Sequence, residues 1–384
     1  MEKNKKRHFT KYLPAIVFLA FIFGMGIWFL FGSKSNYSSS EKRYLQQFPE
    51  VTAESISNGE FSKKFESYFA DQFPERKLWV GMNAYYNLDI GNNGSSGVYN
   101  CKDGYLINVP VSKDNRINKN IGVVADFAKS VDVPVTVMFA PSTGYVADDV
   151  LPAVHNSYND DIYFESISKK LEQDNINFVD LRKTFKDEYK KGNQLYYKTD
   201  HHWTTLGAYT AYTQLCGSLN ITPAQKDMFK VETYDNFYGT TYSTSGFWLT
   251  PPDKIELWKN PDNTEENINV KVADGDKVKE SGSLFFEEHL KEDDKYPVFI
   301  DGNHAVSEIT NKNAKGGTLV MIKDSFAHSM APFLAENYSK IVMVDMRYYK
   351  QSVSQLVKDE KADNVVVLYG IDNFATDTDI VWLK

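Results

Sequence analysis

Four stretches of this chain are apolar without alternation: "VPVTVMFA" (133–140), "GTLVMI" (317–322), "KIVMVDM" (340–346) and "NVVVLYG" (364–370). A strand with one wetted face alternates polar with apolar residues. A strand that is apolar on both sides must be covered on both, which is the signature of a parallel sheet. "INFVDL" reads as a further short strand. Helical patterns fall between the strands: residues 115–131, residues 160–171, a stretch ending near Leu219 and one running through Phe333. This alternation predicts an α/β fold, a parallel sheet with helices on both faces. In such sheets, ligands bind beyond the C-terminal ends of the strands. A chain of 384 residues, 42% of them hydrophobic, can bury a core of that size.

Residues 222–300 break the rhythm. They are aromatic and polar, as in "FYGTTYSTSGFWLTPP", and predict a β-rich insertion. Upstream, Phe61, Phe65, Tyr68 and Phe69 stand at helical spacing, and Pro74 can open a second helix carrying Leu78, Trp79, Met82 and Tyr85. Lys102-Asp103-Gly104 between two short apolar runs predicts a hairpin. The expected organisation is one domain over 60–384 with its insertion at 222–300, preceded by a polar linker over 33–59.

Residues 13–31, "LPAIVFLAFIFGMGIWFLF", are 19 residues without a charge. At about 1.5 Å rise per residue they cover most of a bilayer core of roughly 30 Å. Lys3, Lys5, Lys6, Arg7 and Lys11 precede them. The bias predicts a cytoplasmic tail over 1–11, a single-pass transmembrane anchor over 12–32, and everything after it outside the cytoplasm, at the cell membrane. A cleaved signal peptide is the alternative, although the apolar run is long for one. The tail carries +4, so the net −8 of the chain leaves −12 on residues 33–384. That surface repels nucleic acid and other polyanions at long range. No Walker A loop, G-x-G-x-x-G, C-x-x-C or G-x-S-x-G occurs, so no cofactor is expected. Cys101 and Cys216 could pair outside the cell. Cys216 shares an apolar helix face with Leu206, Tyr209, Tyr212 and Leu219, which favours a buried free thiol.

The chemistry concentrates in two segments. The first is "KTDHHWTTLGAY", residues 198–209. If it is extended, Asp200 and His202 share a side and His201 points away. The carboxylate would accept the Nδ1–H bond and leave Nε2 as a base. Thr204 or Thr205 suits an N-cap for the next helix. The second is "LVMIKDSFAHS", where an apolar strand ends in Lys323-Asp324-Ser325 and a helix follows. Ser325 then stands at the C-terminal edge of the sheet as a nucleophile. Its amide and that of Phe326 are the expected oxyanion donors. Bland readings stand beside these. Ser325 could be an N-cap, and His202 a packing histidine. Asp200, His201 and His202 could bind a metal, with a third ligand from His304 or His328, but no recognisable ligand spacing supports one and none is expected. Trp203 reads as packing beneath the loop. Arg347, Tyr348 and Tyr349 end a strand at the same sheet edge, as pocket lining or as a solvated strand end. Trp248 and Trp258 suit sugar stacking or packing. The expected substrate-binding set is Arg347, Tyr349 and Trp248.

A D-x-H-W segment upstream of a strand ending in x-D-S-F resembles the DHHW family, related to the alginate O-acetyltransferase (AlgJ/AlgX-type) branch of the SGNH hydrolase superfamily. "FADQFPERKLW", "FAPSTGYVADDVLP", "FYGTTYSTSGFW" and "DMRYY" fit the same family, and the likeness covers roughly residues 60–375. Ser142 stands where lysine is frequent, and Lys323 replaces the glycine usual before Asp-Ser. The resemblance implies an SGNH hydrolase-like sheet, with Ser325 as nucleophile, His202 as general base and Asp200 as its orienter. It implies an extracytoplasmic O-acetyltransferase that passes an acetyl group through a serine ester to hydroxyls of a cell-surface or secreted polysaccharide. A membrane-bound O-acyltransferase would deliver the acetyl group. A carbohydrate acetyl-esterase would use the same three residues with water as acceptor. An anchored glycan-binding module is the non-catalytic alternative. The charge favours a neutral polysaccharide, held by aromatic stacking from residues 234–258.

Overall fold

The structure, a computed structural model, describes residues 2–38, 40–112 and 116–383. It divides into two units, one up to Tyr86 and one from Asn87 onward. In the first unit, residues Lys11–Phe31 of the helix Glu2–Phe31 are long and apolar enough to cross a membrane, which is compatible with a single-pass anchor. The expected aromatic helix runs Glu60–Asp71. Phe48 packs edge-on against Phe61, Phe65 and Tyr68 of that helix. Arg43 grips Asp71 with two guanidinium nitrogens, at 2.9 and 2.6 Å, and so ties the polar 33–59 stretch to the helix.

The second unit is built on an eight-stranded sheet. Across it the strands run Lys277–Ser281, Ile268–Asp274, Val306–Asn311, Tyr338–Val344, Gly316–Lys323, Asn364–Gly370, Val135–Ala140 and Asn177–Asp180. The last five of these pair parallel. The first three extend the sheet antiparallel. Four of the five parallel strands are the apolar runs read from the sequence and the fifth is the short strand in "INFVDL", and the sheet is mixed because three flanking strands join one edge. Two of those three come from the 222–300 segment. Its other strands, Lys230–Phe237 and Asp253–Lys259, pair with each other.

Period-two alternation sorts the apolar residues onto two buried faces. Val135, Val137, Phe139, Val320, Ile322, Val365 and Val367 pack against the helices Arg116–Ser130 and Asp160–Gln173. Met138, Leu319, Met321, Val366 and Leu368 pack on the opposite face against the helices Thr205–Leu219 and Ala327–Leu334. Both faces are covered, and the four central parallel strands show no exposed-buried alternation, whereas Ile268–Asp274 and Val306–Asn311 at the antiparallel end do alternate. The expected start of the first helix at Asn115 lies outside the described residues. The predicted hairpin forms between Val98–Asn100 and Leu106–Asn108, and Asp103 and Gly104 take positive φ in its turn. Cys101 and Cys216 are both free, and burial pushes each thiol up to about 12.

At the C-terminal edge of the parallel strands, four chain ends converge: Ser142 beyond Val135–Ala140, Asp324-Ser325 beyond Gly316–Lys323, Asp345 to Arg347 beyond Tyr338–Val344, and Asn373 beyond Asn364–Gly370.

Candidate active site

The segment holding Asp200 and His202 is a tight bend, not the extended chain expected. Tyr196 and Trp203 bridge antiparallel, and the residues between them double back. Asp253 props this loop from outside. Its Oδ1 accepts from the Lys198 amide at 3.0 Å and Gln194 Nε2 at 3.1 Å, and its Oδ2 accepts from the amide and hydroxyl of Thr199, each at 2.7 Å. Inside the bend, Asp200 Oδ1 accepts the His202 amide at 2.8 Å and meets His202 Nδ1 at 2.5 Å. The pair thus meets through an aspartate turn, in which a side chain caps the backbone two residues on. Strand alternation is not the reason, and His201 does not point away. Its ring centroid lies 3.9 Å from that of His202, and its Nδ1 lies 2.5 Å from Thr240 Oγ1. Thr204 is the N-cap, accepting from the Gly207 amide at 3.1 Å. Trp203 is fully buried and donates from Nε1 to the Phe326 carbonyl at 3.0 Å, which fastens the two segments together.

Ser325 sits in the turn after Gly316–Lys323, with its Oγ 2.6 Å from His202 Nε2. Asp324 shapes that turn. Its Oδ1 accepts the Phe326 amide at 2.9 Å, and its Oδ2 accepts the Gly370 amide at 2.8 Å and Asn373 Nδ2 at 2.7 Å. The Phe326 amide is therefore occupied, and the expected pair of oxyanion donors reduces to the Ser325 amide. Asp200 Oδ2 accepts from the Thr240 amide at 2.7 Å and its hydroxyl at 3.2 Å. An ionised carboxylate only accepts, so the His202 proton belongs on Nδ1 and Nε2 accepts from the Ser325 hydroxyl. Tyr296 is buried and stacks on His202 at 3.9 Å and 6°. Its hydroxyl donates to the Ser325 carbonyl at 3.1 Å.

A second buried network lies beneath. Lys323 Nζ is 2.7 Å from His328 Nε2 and 3.2 Å from Asp345 Oδ2. Burial lowers the pKa of both Lys323 and His328, and leaves the imidazole neutral. Burial opposes charge on Asp345, yet the hydrogen bonds and charges of Arg347 and Lys323 hold it below the usual carboxylate range. Arg347 Nε donates to Asp345 Oδ1 at 2.8 Å.

Ser325, His202, Asp200, His328 and Arg347 all line one open cavity of about 490 Å³. Among the predicted binding residues, Arg347 is brought to the site. Tyr349 is not: it is buried in the core with Val353 and Val357. Trp248 is not among the cavity's lining residues. It packs on Tyr242 of the helix Thr240–Ser245, which packs on Tyr238, as a half-buried aromatic cluster. Trp258 is core, against Tyr209 and Phe333. Tyr348 is exposed beside Arg347. Ligand atoms of Asp200, His201 and His202 lie within 4.8 Å of one another, as a metal would need. Yet both ring nitrogens of His202 are hydrogen-bonded, His304 is bonded to Asp274, and His328 to Lys323. Sequence reasoning missed Thr240, Gly239 and Tyr296. The first two fall in "FYGTTYSTSGFW", where a glycine before threonine was the available signal. Tyr296 carries none that marks it among 24 tyrosines.

The chain belongs to the DHHW protein family, whose pattern matches residues 111–344. It is 24% identical over 218 residues to a protein from Pseudomonas putida named "Probable alginate O-acetylase AlgJ", an alignment covering 54% of this chain and 52% of that one. The chain thus spans about half the length of the curated relatives it matches. Among solved structures it is similar to a DHHW family protein from Eubacterium siraeum, with a TM-score of 0.64 and 21% identity, covering 75% of this chain and 95% of that one. It is also similar to Bacillus cereus PatB1 bearing a sulfonyl adduct, with a TM-score of 0.62 and 20% identity over 75% of this chain and 97% of that one. These likenesses establish an SGNH-like α/β fold shared with both.

Proposed function

We propose that this protein is an extracytoplasmic serine O-acetyltransferase that acetylates hydroxyls of a polysaccharide. One observation carries the reading: Asp200, His202 and Ser325 form a hydrogen-bonded line, 2.5 Å then 2.6 Å, opening on a cavity at the C-terminal sheet edge. Ser325 Oγ attacks the acetyl carbon while its proton passes to His202 Nε2. Asp200 holds the imidazole in that tautomer and balances the imidazolium. The departing donor oxygen takes the proton back, which leaves an acetyl ester on Ser325. A sugar hydroxyl then attacks with His202 again as base, and Ser325 is regenerated. No step calls on a cofactor.

The name of the Pseudomonas putida relative supports an acetyl-transferring role on a polysaccharide. Alginate is a polyuronate, and the cavity argues for a different acceptor here. Asp294, Asp377 and Asp379 stand among its lining residues, while Arg347 is gripped by Asp345. With −12 on residues 33–384, a neutral glycan is the fitting acceptor. The helix Glu2–Phe31 would anchor the domain beside a membrane-bound O-acyltransferase that supplies the acetyl group. Incubating the chain with an acetyl ester, with and without glycans, tests the reading. Acetylated neutral glycan and a trapped Ser325 ester are expected. Free acetate alone would identify an esterase, and no Ser325 ester at all would leave a binding module. Tight polyuronate binding that collapses with salt would refute the neutral acceptor.

A further inference from the structure

We infer that His328 is a catalytic residue whose Nδ1–H binds the acyl carbonyl oxygen as it becomes an oxyanion, and that Lys323 is a positioning residue acting through it. This rests on the acyl-transfer reading of Ser325. The first observation is a missing donor: the Phe326 amide is spent on Asp324 Oδ1 at 2.9 Å. The second is a spare one. His328 is 1% exposed, stands in the first turn of the helix Ala327–Leu334 after Ser325, and lines the same cavity as Ser325 and His202. Its Nε2 lies 2.7 Å from Lys323 Nζ, and Nζ also meets the Asp345 carboxylate. A lysine nitrogen between a carboxylate and an imidazole donates to both, so Nε2 accepts and the ring proton sits on Nδ1. That Nδ1 is buried and finds no partner among the described residues. Buried N–H groups are seldom left unpaired unless a ligand, water or reacting group completes them.

The third observation explains Lys323, which is fully buried beside the nucleophile. Held by Asp345, it keeps the imidazole neutral and polarises the ring, which strengthens Nδ1–H as a donor. In the reaction, the Ser325 oxygen bonds to the acetyl carbon and its proton goes to His202. The carbonyl electron pair moves onto oxygen, where His328 Nδ1–H and the Ser325 amide meet it. Collapse returns the pair and expels the donor oxygen, which takes the proton from His202. His328 gives up no proton.

The test uses the full chain in detergent, p-nitrophenyl acetate, and mass spectrometry of Ser325. His328→Leu should lose about 10²–10³ in acylation rate, as other enzymes do on losing one oxyanion donor, with KM little changed and a lowered melting temperature because the buried Lys323 Nζ loses an acceptor. His328→Asn keeps an N–H and should stay within about tenfold of wild type, by the same donor logic. Lys323→Met should fall in kcat rather than in KM. If His328→Leu does not fold, the asparagine and methionine variants decide. A His328→Asn that falls as far as complete loss, or a His328→Leu that acylates like wild type, overturns the inference while leaving Ser325 as nucleophile. A wild-type chain that never acetylates Ser325 overturns both readings.

Discussion

Gly239→Ala should disable the site without removing any of its functional groups. Gly239 has φ −93° and ψ −166°, an extended conformation that alanine adopts freely, so the backbone offers no objection. Space does. A Cβ at this position would lie 2.1 Å from Asp200 Cβ, 2.2 Å from Oδ2 and 2.5 Å from Cγ. Carbon atoms pack at about 3.5 Å or more, so the aspartate has to retreat by roughly 1.4 Å. That distance exceeds the slack in its 2.5 Å contact with His202 Nδ1 and its 2.7 Å bond from the Thr240 amide. Misplacing a catalytic group by about 1 Å costs on the order of 10² in rate, and loss of the correct tautomer in the serine-protease example costs about 10⁴. We expect Ser325 acetylation to fall between those bounds, while overpacking costs about 1–3 kcal/mol of stability. Gly217→Ala is the control: nothing lies within 4 Å of its added methyl, so rate should hold. Burst kinetics with p-nitrophenyl acetate beside thermal melts make the measurement. A folded Gly239→Ala that acetylates Ser325 within about twofold of wild type would show that Asp200 does not orient the base, since a 1 Å error should cost far more.

His202→Ala should abolish acyl transfer. His201→Ala should lose only about tenfold, because Thr240 keeps its amide bond to Asp200 without it; equal losses on the same ester would defeat this ordering. Asp253→Ala leaves the amides of Lys198 and Thr199 without their acceptor, at a cost of about 1–3 kcal/mol in urea unfolding, and turnover should drop with the loosened loop; unchanged unfolding would mean another group props it. Burial pushes Asp160 up to about 6 and Asp372 up to about 7, with the Ser142 hydroxyl between them at 2.9 and 3.0 Å. Both folded values lie above the ordinary carboxylate value near 4, so the folded chain holds more protons across that window and stability falls as pH rises from about 4 to 7. Asp372→Asn should flatten this part of a melting-temperature profile, and a slope identical to wild type would show that the pair stays ionised.

How much of this was legible in the sequence depends on whether a feature is local. Four of the five parallel strands could be read because they bury both faces, and Val320, Met321 and Ile322 leave no polar alternation to mislead, while Asn177–Asp180 at the sheet edge buries only Val179. Val306–Asn311 escaped notice because its burial alternates: Ser307, Ile309 and Asn311 face inward, and a buried serine and asparagine erase the apolar signal. The same contrast governs the site. Asp200 and His202 meet within two residues, so their pairing was visible, although the cause was a turn and not a strand. Ser325 was visible because a strand and a helix meet at it. Tyr349 was misplaced because the residue after Arg347 and Tyr348 turns back into the core, and nothing in "DMRYY" says which side of the sheet edge each ring takes. What stayed hidden reaches the centre across long sequence separations: Thr240 onto Asp200, Tyr296 onto His202, Asn373 onto Asp324. Each is a common residue whose role exists only once the sheet has assembled. Lys323 is the instructive case. From sequence it is a charge beside the nucleophile, at a position where glycine is usual. In the fold it is sealed between Asp345 and His328, and its hydrogen bonds serve the interior of the site, while Asp294, Asp377 and Asp379 line the cavity.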